Sequence, residues 1–108
     1  MLPNAHLAIV PAEKVRDYLL CPTHPTGRFK QAVFAALGYE QLHWETLHRD
    51  LLALARSGLA SEVETTSYGR KYRVGGTLTG PNGRSGRFVS IWIIGPAGAP
   101  RLVTAYPA

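Results

Sequence analysis

An α+β fold is predicted, in which N-terminal helices pack on one face of a four-stranded, mostly antiparallel sheet formed by the second half of the chain. Three observations predict it. Apolar residues recur at helical spacing as far as Ser57, the period changes to alternation beyond Gly58, and short turns rich in glycine and proline divide the alternating part. The 108 residues fit one domain, residues 1–108, with a helical part at about 11–57 and a sheet at about 60–106.

Each element has its own warrant. Pro11 suits the first turn of a helix in which Val15, Tyr18 and Leu19 fall on one side. Cys21 to Gly27 holds two prolines and a glycine and reads as a loop. A second helix over about 28–37 stops at Gly38, and a third from Glu40 to Ser57 carries the stripe Trp44, Leu47, Leu51 and Leu54. Alternating, β-branched residues from Glu62 to Thr66 give the first strand, and Lys71 to Val74 the second. The run Gly80-Pro81-Asn82-Gly83 is a turn, after which Arg87–Ile94 and Arg101–Tyr106 complete the sheet. Short connections favour an antiparallel meander. Alternation puts Val89, Ile91 and Ile93 on one face of the third strand, expected against the helices, and Phe88 and Trp92 on the other, expected open beside Thr104 and Tyr106.

Charge is unevenly spread. The first 64 residues hold six basic and seven acidic side chains, while residues 65–108 hold Arg70, Lys71, Arg73, Arg84, Arg87 and Arg101 and no acid. A half of one sign creates a positive potential suited to a polyanion. An open sheet face bearing arginines and aromatics is a platform for stacking bases and holding phosphates, so Arg70, Lys71, Tyr72, Arg73, Arg87, Trp92 and Arg101 are candidate RNA-binding residues. No basic leader followed by an apolar run and no stretch of about 20 apolar residues is present, which predicts a cytoplasmic chain without membrane attachment. The single cysteine, Cys21, suits a reducing compartment.

Several chemistries lack their residues. His43 and His48 are poorly spaced for a shared metal, cysteines are not paired, and the basic half has no carboxylate, so no metal and no cofactor is expected. Gly-x-Ser-x-Gly and a phosphate-binding Gly-rich loop are both missing. RNA cleavage asks for less, because the 2′-hydroxyl is the nucleophile and the protein need only move protons and stabilise the phosphorane. His24 lies in a Pro/Gly loop with Arg28 and Lys30 nearby and is the histidine best placed as a base; the structural alternative is that it caps its own loop.

The segments Leu2-Pro3-Asn4-Ala5-His6, Asp17-Tyr18-Leu19-Leu20, His24-Pro25-x-Gly27-x-x-Lys30, Tyr68-Gly69-x-Lys71-Tyr72, Gly80-Pro81-x-Gly83-Arg84 and the ending Pro100 to Pro107 together resemble a small bacterial family of unknown function associated with toxin–antitoxin gene pairs. The chain is also similar to the Barnase–EndoU–Colicin–RelE superfamily of RNase toxins. This resemblance implies metal-independent cleavage of RNA, often tRNA, to a 2′,3′-cyclic phosphate, and an acidic antitoxin or immunity protein as inhibitor. It implies a catalytic set of His24, Lys30, Thr104, Tyr106 and Arg84, with His6 as the alternative histidine. The competing expectation is a non-catalytic RNA-binding or antitoxin-type module using the same basic face.

Overall fold

The computed structural model describes all 108 residues. After a 3₁₀ turn at Ala5–Leu7, Ile9 pairs in parallel with Arg101. Helix α1 (Ala12–Lys14) runs directly into a π-helical turn at Val15–Leu19, closed by the Leu20 N–H donating to the Val15 carbonyl at 2.9 Å. Helix α2 covers Arg28–Ala35, and α3 covers Trp44–Ser57 behind a 3₁₀ turn at Gln41–His43. Strands β1 (Leu59–Thr66), β2 (Gly69–Thr79), β3 (Ser85–Ile94) and β4 (Pro100–Pro107) form one sheet in sequence order, every neighbouring pair antiparallel. The α+β class and the meander are as predicted. Strand β2 is longer than its alternation indicated, because Gly75 and Gly76 carry no side chain to mark a face yet keep their ladder pairings with Val89 and Phe88.

The helices cover the sheet through the predicted stripe: Leu47, Leu51 and Leu54 of α3 are buried in one core with Val74 and Leu78 of β2, Ala55 joins them, and Trp44 is only partly buried against it. Gly76 permits this approach, since a Cβ there would lie 2.5 Å from the Leu54 Cδ1 atom. Phe34 of α2 stacks on Phe88 with centroids 5.1 Å apart and planes at 18°.

The face assignment on β3 is the reverse of the expectation. Phe88, Ser90, Trp92 and Ile94 point at the helices, and Val89, Ile91 and Ile93 lie on the open side. Trp92 is fully buried; its indole N–H donates to the Ser90 hydroxyl at 2.8 Å, which donates to the Val74 carbonyl at 3.0 Å. A buried tryptophan with its N–H satisfied is a core residue. Tyr72 is buried on the same side, and Arg70, also on that side, lies over its ring at 5.7 Å. Trp92, Tyr72 and Arg70 are therefore removed from the candidate RNA-binding set. Beta-strand pairing explains why: paired residues share a face, and Lys71 and Arg73 pair with Ile93 and Ile91, not with Trp92.

Candidate active site

Three rows cross the open face. Lys71, Ile93 and Arg101 form one; Arg73, Ile91 and Thr104 the next; Gly75, Val89 and Tyr106 the third. Arg87 lies beyond them, paired with Thr77. Lys71, Arg73, Arg87 and Arg101 thus share a face with Thr104 and Tyr106, and only Lys71 has an acidic neighbour, Glu64 at 3.7 Å. Successive rows are roughly 7 Å apart and adjacent strands about 4.8 Å, so Arg73 and Thr104 have backbones roughly 10 Å apart, a span two side chains bridge around one phosphate. A bulge between Ile91 and Trp92 on one side and Thr104 and Leu102 on the other leaves Val103 unopposed. It lets Leu102 and Ala105 both face inward while Thr104 and Tyr106 stay outside.

Thr104 meets the helical layer through Tyr18, a residue of the first helical stripe and of the Asp17-Tyr18-Leu19-Leu20 segment to which the sequence assigned no role. The Tyr18 hydroxyl lies 3.3 Å from the Thr104 Oγ1 atom, 86 residues away in sequence. The Tyr18 ring carries His24 edge-on at 5.0 Å, Lys30 Nζ at 5.4 Å and Lys14 Nζ at 5.5 Å. His24, Lys30 and Thr104 therefore converge on one phenol, which none of them would reveal by spacing. The π-helical turn presents it, and such turns recur at functional sites. Gly27 makes the convergence possible: a Cβ there would collide with the Tyr18 carbonyl and sit 2.9 Å from its ring. Partial burial pushes the Tyr18 phenol up. The Thr104 hydroxyl, the hydrogen bond and charge of Lys30, and the charge of Lys14 outweigh it, so the phenol ends below its ordinary range.

His24 is held differently from the expectation. Its Nδ1 accepts backbone N–H bonds from Gly27 at 2.9 Å and Thr26 at 3.1 Å. Backbone N–H groups can only donate, so the ring proton of the neutral side chain resides on Nε2, and the free ring nitrogen is a donor. The loop-capping alternative describes this geometry, and a base role through Nε2 does not. Arg84 is also outside the cluster. It sits in the β2–β3 turn, its N–H bonded to the Asn82 side chain, seven residues and roughly 20 Å along β3 from the Thr104 row. His6 is exposed in the N-terminal 3₁₀ turn, His43 lies 4.0 Å from Glu40, and His48 bonds the Val10 carbonyl at 2.8 Å. Phe29, 68% exposed beside Lys30 with the Arg28 guanidinium 4.7 Å from its ring, is an open aromatic that sequence reading passed over.

The cluster lies on an open surface. A cleft of 260 Å³ bounded by Gly38, Tyr39, Glu40, His43, Thr46 and Pro81 shares no residue with it. No helix is long and apolar enough to cross a membrane.

A family model described as a domain of unknown function, DUF6883, matches residues 1–108, and the chain belongs to that family. A chain of a solved contact-dependent growth inhibition toxin–immunity protein complex from Klebsiella pneumoniae 342 has the same fold. Its TM-score is 0.75 at 18% sequence identity, over 94% of this chain and 100% of that one. No curated protein matches the chain in sequence.

Proposed function

We propose that this chain is a toxin-type endoribonuclease that cleaves RNA without a metal ion and is restrained by an acidic immunity or antitoxin protein. The observation that carries the reading is the meeting of Tyr18, His24, Lys30 and Thr104 at the edge of a sheet face bearing Lys71, Arg73, Arg87 and Arg101. The fold likeness to a chain of a toxin–immunity protein complex supports a toxin-related role and an inhibitory protein partner.

Binding and chemistry fall to different residues except at Arg73, which serves both. The four sheet cations and the His24 Nε2–H hold the phosphate backbone, and Phe29 with Arg28 offers a stacking surface for a base. Lys30 and Arg73, on either side of Thr104, stabilise charge on the phosphorane, and Tyr106, two residues along the same face, orients the sugar or base. The 2′-hydroxyl of the RNA is the nucleophile, so no protein nucleophile is needed. The same cationic face attracts an acidic inhibitor, which would cover the site and compete with RNA.

The loop-capping geometry of His24 favours a second reading, a non-catalytic RNA-binding or antitoxin-type module in which the cluster only fixes the fold. Inducible expression in bacteria separates the two. Growth arrest accompanied by discrete RNA fragments is the expected result. Normal growth with intact RNA, while purified protein still binds RNA, would establish the module.

A further inference from the structure

Within the endoribonuclease reading, on which this inference rests, the geometry points to Tyr18 as the catalytic base, its phenolate oxygen taking the proton of the attacking 2′-hydroxyl. The alternatives are exhausted locally. The His24 Nδ1 lone pair is occupied by the Thr26 and Gly27 N–H groups, which leaves the imidazole a donor through Nε2. Asp17, next to it in sequence, is held by Arg16 at 2.9 Å, and no carboxylate is among the groups that act on the phenol. The groups that face it are Lys14 from its own segment, the edge of the His24 ring from the loop, Lys30 from α2 and Thr104 from β4. The two ammonium groups and the Thr104 hydroxyl each stabilise an anion there. The same forces account for the downward direction of the phenol's titration.

The step balances. The phenolate accepts the 2′-hydroxyl proton, the oxygen's electron pair forms the new bond to phosphorus, and the bond from phosphorus to the 5′-oxygen breaks. The leaving oxygen takes a proton from the Lys30 ammonium, and transfer of the new phenol proton to the Lys30 amine restores the starting state. Thr104 donates to the phenolate and keeps it aimed at the sheet face.

The test measures initial cleavage rates of a mixed RNA pool in EDTA from pH 6 to 8 for the wild-type protein, Tyr18→Phe and Thr104→Val. The wild-type rate should rise with pH across this range, because deprotonation of the phenol makes the active form. Tyr18→Phe should lose about 10²- to 10⁴-fold in rate and lose the slope, with an unchanged circular dichroism spectrum. Thr104→Val, which keeps the phenol but removes its partner, should keep the slope at a lower rate. A wild-type profile that levels off in the histidine range, or a Tyr18→Phe protein with wild-type rate and slope, overturns the assignment while leaving the ribonuclease reading intact. A folded wild-type protein that cuts no RNA at any pH overturns both.

Discussion

The two faces of the sheet are made by the same strands and are built to opposite standards. On the inner face every polar requirement is met: the Trp92 indole is satisfied by Ser90 and Ser90 by Val74, and no buried side-chain nitrogen or oxygen lacks a partner. On the outer face Arg73, Arg87 and Arg101 are exposed without an acidic partner within 4 Å, around a floor of Val89, Ile91 and Ile93. The difference teaches that the packed core and the exposed cationic surface are separated by residue parity along β2 and β3. Substitutions one position apart should therefore alter different properties.

The largest effect is expected inside. Trp92→Ala removes a fully buried ring and leaves Ser90 without its donor. It should cost about 3–5 kcal/mol of stability, read from the shift in urea midpoint. A loss below about 1 kcal/mol would break the division between the faces.

His24 tests the border between them. Asparagine at this position can still accept the N–H groups of the loop but has no Nε2–H to offer. His24→Asn should keep wild-type stability and lower RNA cleavage by about 10- to 100-fold, the loss of one hydrogen bond to a charged group. Wild-type cleavage by His24→Asn would reduce His24 to a loop cap.

The smallest effects belong outside. Arg73→Ala, Arg87→Ala and Arg101→Ala should each leave stability within about 0.5 kcal/mol of wild type. Each should weaken RNA binding and lower the dependence of log K on log salt by about 0.7, as expected for one lost phosphate contact to a single strand. Affinity titrations at three salt concentrations check this, and an unchanged slope in all three variants would remove the outer face from RNA recognition.

The fold was legible because its signals are local and redundant. The α3 stripe, the change of period at Gly58 and the Gly80–Gly83 turn each speak for themselves. The faces of β3 were not, because Phe88 to Ile94 is apolar at almost every position and alternation without contrast has no direction. A cue lay in β2: Lys71 and Arg73 cannot share a face with Tyr72, so grouping all three contradicts a period of two. Of the candidate site, Thr104 and Tyr106 could be put on one face by strand pattern alone, whereas their sharing of that face with Arg73 runs through Ile91, whose side the pattern did not give. Tyr18 could not, since its hydroxyl is brought to Thr104 by a π-helical turn and by the close approach at Gly27, neither of which has a pattern in the sequence. Arg84 was drawn in by its turn motif, whose glycines and Asn82 serve the hairpin and its dock on the end of α2.

Attack by the RNA's own 2′-hydroxyl is the step on which the functional reading stands, and the ends of the fragments report it directly. Purified protein in EDTA is given an RNA carrying its cleaved sequence and a second copy that is 2′-deoxy at the nucleotide 5′ to the cut. The expected result is a 2′,3′-cyclic phosphate and a 5′-hydroxyl from the first RNA and no cut in the second. Cleavage of the 2′-deoxy substrate, 5′-phosphate ends, or activity that disappears in EDTA would contradict it.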